Sequence, residues 1–304
     1  MEKFTLRTLR RLFILLLRTR NPDPLKQDLG LLPNIDVLIP VAGKDVKHLD
    51  LVLSNLQKFC LNPINTIYIV TPNKNGLDIK ISNNIKIISD SEFLSIDIES
   101  LKKNQPDCYN WCVQQLIKLN SIKVINADYI LWLDSDTLIN NYRTFVTKNH
   151  QLEIISDEFH RPYFVGLKKS FSFKIPIIRF SRVSHHALIN TKVFKMFEDE
   201  YNIKSINDWL NVILNSIDKK DIRSEKHNWF IFGSSSFSEY ELYSLILDKY
   251  KVPRKKAYWW NESRQSLIYT GDFIAIDDGI LEKLSLRIRP NKPYSISFHS
   301  WNQT

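Results

Sequence analysis

Apolar residues along this chain fall into two alternating patterns, short continuous runs and helical periods. Ile35 to Val41 (IDVLIPV), Thr66 to Thr71 (TIYIVT), Ile85 to Ser89 and Tyr129 to Leu133 (YILWL) are runs that stop at polar residues. Such runs predict buried strands. Val46 to Phe59, Cys108 to Asn120, Lys192 to Tyr201, Ile206 to Ser216 and Phe237 to Lys249 read as helices. Tyr163 to Leu167 reads as a further strand, and Tyr294 to Trp301 (YSISFHSW) alternates as a strand does. Strands that are apolar throughout, separated by helices, predict a mostly parallel sheet covered by helices, an α/β fold.

The first twenty residues, MEKFTLRTLRRLFILLLRTR, are basic and amphipathic. Their apolar run, Leu12 to Leu17, is too short to span a bilayer. A helix of this kind suits an anionic membrane surface, or docks with its Arg residues solvated. Asn21-Pro22-Asp23-Pro24 breaks it, so residues 1–30 form a basic segment and 31–304 the main domain. The net charge of +9 favours anionic partners. Cys60, Cys108 and Cys112 have no metal-binding spacing and suit buried thiols in a reducing compartment. No Gly-rich dinucleotide fingerprint or P-loop is present, so neither a dinucleotide fold nor a P-loop enzyme is supported.

The candidate chemistry gathers at Asp134-Ser135-Asp136, just past the YILWL run. Alternation along an extended chain would point both carboxylates the same way. Paired carboxylates repel unless a cation lies between them, and carboxylate oxygens suit Mg²⁺ or Mn²⁺ shared with phosphates. The same triplet is also good turn and cap chemistry. Open α/β sheets place ligands at the carboxyl ends of strands, which favours the metal reading.

Other candidates surround it. Trp111, Gln115 and Lys118 share one side of a helix, facing either a donor or the core. In Arg182-Val183-Ser184-His185-His186, strand alternation allows only one histidine to face a site. Glu239 and Glu241 follow serines at capping-box spacing and are either caps or a general base. Tyr258, Trp259 and Trp260 offer flat rings for a sugar or for a core.

The ordered set IDVLIPVAGKD, WCVQQLIKL, a strand ending in D-x-D, SHHALI, SEYELY and FHSW resembles GT-A-type glycosyltransferases. It is most similar to a bacterial family linked to surface-polysaccharide synthesis. The resemblance implies a GT-A-like three-layer fold and transfer of a sugar from a nucleoside diphosphate donor to a saccharide or lipid-linked acceptor. It implies Mn²⁺ or Mg²⁺ held by Asp134, Asp136 and His299, with Asp136 the more direct ligand. Pro40, Val41, Lys44, Gln115, Lys118 and Asp134 would face the donor. His186 and Trp260 would lie toward the acceptor, and Glu239 or Glu241 would be the base of an inverting reaction. The protein would be cytoplasmic, and residues 1–20, which lie outside the resemblance, would place it on the inner face of the membrane.

Two rivals share parts of the pattern. Haloacid-dehalogenase-type phosphatases also carry D-x-D after an apolar strand, with the first Asp as nucleophile. They favour Thr or Val where this chain has Leu138. A non-catalytic protein binding a membrane or nucleic acid would suit the charge, but the basic residues are spread out and no nucleic-acid partner is expected.

Overall fold

A computed structural model describes residues 12, 30–74, 77, 83–104, 109–156, 159–174, 180–216, 236–258 and 295–297. In chain order, β1 (Ile35–Pro40) passes through a 3₁₀ turn (Gly43–His48) into α1 (Leu49–Phe59). Next come β2 (Ile64–Thr71), β3 (Ile85–Ser89), α2 (Asp90–Leu94), α3 (Ile98–Asn104) and α4 (Tyr109–Val124). They are followed by β4 (Tyr129–Leu133), β5 (Thr137–Ile139), β6 (Gln151–Ile155) and α5 (Arg161–Phe171). The remainder is β7 (His186–Asn190), α6 (Thr191–Glu200), α7 (Ile206–Ser216), α8 (Glu239–Lys249), β8 (Arg254–Tyr258) and β9 (Ser295–Ser297).

The central sheet has five strands in the order β3-β2-β1-β4-β7. All its neighbours pair parallel except β4 and β7, which are antiparallel. Its strands are apolar on both faces because both faces are covered. On β1, Leu38 joins the core under α4, α6, α7 and α8, whereas Val37 and Ile39 join the one under α1. On β4 the same alternation sends Ile130 and Trp132 to the first core, and Leu131 and Leu133 to the second. The result is a three-layer α/β arrangement.

Strand order reverses at β1. The chain builds β2 and β3 on one side of it and then returns to lay β4 on the other. Open α/β sheets place ligands at the carboxyl ends of the strands beside such a reversal, here β1 and β4. This is the place the alternation of strands and helices predicted for a ligand.

One element differs from its expectation. Tyr163 to Leu167 is helical, as part of α5, not a strand. Pro162 occupies the first turn, where its missing N–H is no loss, and Phe164, Leu167 and Phe171 are buried on one face. A short apolar run cannot by itself separate the two states. Within α5, a Cβ on Gly166 would lie 1.9 Å from the Ser236 carbonyl oxygen, so only glycine lets the chain entering α8 pack this closely.

Of the basic N-terminal segment, only Leu12 and Gly30 are described. No helix among the described residues is long and apolar enough to cross a membrane.

Candidate metal centre

Strand β4 ends at Leu133, and the next four residues turn. The Thr137 N–H donates to the Asp134 carbonyl at 3.0 Å, which closes the turn over Ser135 and Asp136. Asp136 thus comes back beside Asp134 through a turn, not through the strand alternation that the sequence suggested. Ser135 Oγ donates to Asp45 Oδ2 at 3.1 Å and ties this turn to the 3₁₀ turn after β1. The turns at the carboxyl ends of β1 and β4 are thereby fastened together.

The antiparallel edge strand supplies the third group. Leu133 pairs with His186, so the residue before β7 falls opposite the start of the turn. The Asp134 N–H donates to the His185 carbonyl at 2.9 Å. His185 Nδ1 lies 3.2 Å from Asp134 Oδ2. His185 has φ of 61°, a left-handed conformation uncommon for a non-glycine residue and frequent at functional sites. Asp134, Asp136 and His185 each offer one ligand atom, and these atoms all lie within 4.8 Å of one another.

Behind the aspartates lies a buried cation. The Lys118 side chain on α4 is 1% exposed. Its Nζ donates to Asp134 Oδ1 at 2.5 Å, Glu239 Oε1 at 2.7 Å and Tyr240 Oη at 3.0 Å, which uses all three ammonium protons. The Tyr240 hydroxyl in turn donates to Asp134 Oδ1 at 3.0 Å. Gln115, one turn earlier on α4, accepts from the Glu239 N–H at 3.0 Å and so satisfies a first-turn donor of α8.

The charges are coupled. Burial disfavours the Lys118 ammonium, but the Asp134 and Glu239 carboxylates outweigh it and raise its pKa. Burial would raise the Asp134 carboxyl, yet Lys118 and the His185 contact hold it well below the usual range. Burial, with Asp134 and Glu239 nearby, raises the Tyr240 phenol well above its ordinary value and keeps it neutral. Asp134, Asp136 and His185 together offer two carboxylates and one imidazole, a donor set that Mn²⁺ and Mg²⁺ accept. The residues present therefore fit such an ion.

A family model described as "Family of unknown function (DUF6492)" matches residues 33–272. The chain belongs to DUF6492. No curated protein matches it. The DUF6492 match spans the turn of Asp134 and Asp136, His185, Lys118 and Glu239.

Several residues singled out in the DUF6492 chain sit elsewhere than expected. His186 does not face a crevice. It is fully buried, its Nδ1 lies 2.7 Å from the Ser184 carbonyl, and its ring meets Phe145 edge-on. Burial, with Arg143 nearby, pushes its pKa down to about 3, so the ring is neutral. Of the two histidines, His185 is the one beside the aspartates, because it precedes the strand and escapes its alternation. Neither glutamate faces an open acceptor site: Glu239 and Glu241 are each 1% exposed. Glu239 is the counter-charge of Lys118. Glu241 Oε1 accepts from Ser181 Oγ at 2.7 Å and the Arg182 N–H at 2.9 Å. Half of one capping box forms, with Ser238 Oγ accepting from the Glu241 N–H.

Pro40 and Val41 are buried at the exit of β1. Lys44 lies in the 3₁₀ turn, but its side chain is outside the described residues, as are Trp260 and His299. Strand β9 ends at Ser297, which pairs with Thr137 next to Asp136. Tyr240 was missed although it stands in the SEYELY motif, because nothing in sequence spacing shows that a tyrosine beside a glutamate shares its lysine.

Proposed function

We propose that this DUF6492 protein is a metal-dependent glycosyltransferase, moving a sugar from a nucleoside diphosphate donor to a saccharide or lipid-linked acceptor. The observation that carries this reading is the convergence of Asp134, Asp136 and His185 within 4.8 Å, at the point where strand order reverses. A bound Mn²⁺ or Mg²⁺ would neutralise charge on a leaving diphosphate. Asp136 and His185 would be its principal holders. Asp134 already accepts from Lys118 and Tyr240 and contacts His185, so its main part is to orient His185. Pro40 and Val41 would line the nucleotide side, with Lys44 beyond them.

His299 remains a proposed further ligand, supported by the FHSW resemblance and by β9 ending opposite Thr137. A covalent aspartyl-phosphate route fits less well, since it needs an Asp134 oxygen available for attack. Residues 1–20 would hold the protein at the inner face of a membrane, an inference from their charge and amphipathic pattern.

The direct test is a thermal-shift series of nucleoside diphosphates and their sugars, each with and without Mn²⁺. A donor that binds the folded state raises its apparent stability. Stabilisation by one nucleotide sugar that requires Mn²⁺, followed by sugar transfer, is the expected result. Stabilisation by none of them, with or without Mn²⁺, would overturn the reading.

A further inference from the structure

The turn that presents His185 is held from behind by α8. Ser181 Oγ donates to Glu241 Oε1 at 2.7 Å and accepts from the Val183 N–H at 3.1 Å. The Arg182 N–H donates to the same carboxyl oxygen at 2.9 Å. Arg182 Nε donates to Glu153 Oε1 on β6 at 3.1 Å, and Glu153 Oε2 also accepts from Arg254 on β8 at 2.8 Å. At the other end of the turn, Ser184 Oγ donates to the His186 carbonyl at 2.9 Å, and His186 Nδ1 lies 2.7 Å from the Ser184 carbonyl. His185 sits between these two anchors with φ of 61°. A left-handed non-glycine residue persists only where its surroundings over-determine it.

We propose that Glu241 is a positioning residue for His185: through Ser181 and Arg182 it holds the turn that brings the imidazole to Asp134 and Asp136. The proposal deepens the metal-site reading and rests on it for its functional meaning. Glu241 Oε1 bonds to Ser181 and the Arg182 backbone, not to any of the candidate ligands. It acts through the backbone that leads to one of them, as outer partners of metal ligands do. Its carboxyl, 1% exposed with Oε1 engaged twice, accepts hydrogen bonds within the fold and is not open to an acceptor sugar.

The test measures Mn²⁺ binding by electron paramagnetic resonance of the free ion, using the full chain. Glu241→Ala is expected to weaken Mn²⁺ binding at least about tenfold, in the range seen when outer partners are lost. Glu241→Gln is expected to stay near wild type, because an amide oxygen accepts the same two bonds. Ser181→Ala, a smaller change on the same path, should weaken binding and serves if Glu241→Ala does not fold. Wild-type affinity in a folded Glu241→Ala or in Ser181→Ala, or a Gln variant as weak as the Ala variant, overturns the proposal. Amide exchange of the Asp134 N–H, which donates to His185, gives a metal-free readout and should speed up in the Ala variants only. If wild type binds no Mn²⁺, the metal reading fails, and unchanged Asp134 exchange in those variants would separately remove the positioning role.

Discussion

Lys118 and Asp134 stand 16 positions apart in the chain and 2.5 Å apart in space, one on a helix and one just past the strand beneath it. Their contact joins the helical layer to the candidate metal centre, and Glu239 on α8 closes the group. Removing the ammonium would leave two buried carboxylates facing each other. Lys118→Met should therefore destabilise the protein by roughly 3–5 kcal/mol, the usual cost of breaking a buried pair from one side. Combining it with Glu239→Gln should cost less than the sum of the single changes, because the second removes a charge the first left unpaired. Urea denaturation of the four proteins checks both statements, and strict additivity would show that the cluster is not coupled.

Asp136 is partly exposed at the turn. Asp136→Asn should leave the metal-free stability within about 0.5 kcal/mol of wild type, as for most surface changes. The stabilisation by Mn²⁺, about 2.7 kcal/mol at a hundred times the dissociation constant, should disappear. Melting curves with and without Mn²⁺ give the answer, and a full Mn²⁺ response in the variant would remove Asp136 from the ligand set.

His185 exchanges stability for placement. Glycine adopts its left-handed conformation without a Cβ penalty, so His185→Gly should fold within about 1 kcal/mol of wild type. A β-branched residue is strained there, so His185→Val should be clearly less stable. Both should lose the Mn²⁺ response. Chemical denaturation and Mn²⁺ titration of the pair separate the backbone effect from the ligand effect.

Glu241 makes stability depend on pH. Burial pushes its carboxyl up from 4.5 to about 7, against the opposing pull of Arg182 and Ser181. Between those values the folded state holds a proton that the unfolded chain has released. That contribution is complete below 4.5 and lost as pH rises through about 7. Glu241→Gln cannot ionise, so it should gain on wild type by roughly 2–3 kcal/mol between about pH 5 and pH 8.5. Melting temperatures at the two pH values test this; a constant difference would mean that Glu241 does not titrate in this window.

Much of the architecture was written in local pattern. Continuous apolar runs such as YILWL and IDVLIPV mark strands buried on both faces, and helical spacing marks what covers them. Asp134 and Asp136 were visible for the same reason, as carboxylates at the abrupt end of an apolar run. What local pattern could not supply is which distant segments meet. Alternation pointed to one histidine of the pair without saying which, and only the antiparallel pairing of β7 with β4 puts His185 against Asp134 and turns His186 into the core. Glu239 and Glu241 looked like caps or bases because spacing reports neighbours along a helix. Packing α8 on α4 and on the 181–186 turn made one the counter-charge of Lys118 and the other the anchor of that turn. Burial and strand order belong to the whole chain at once, and they decide which charges must share a cation.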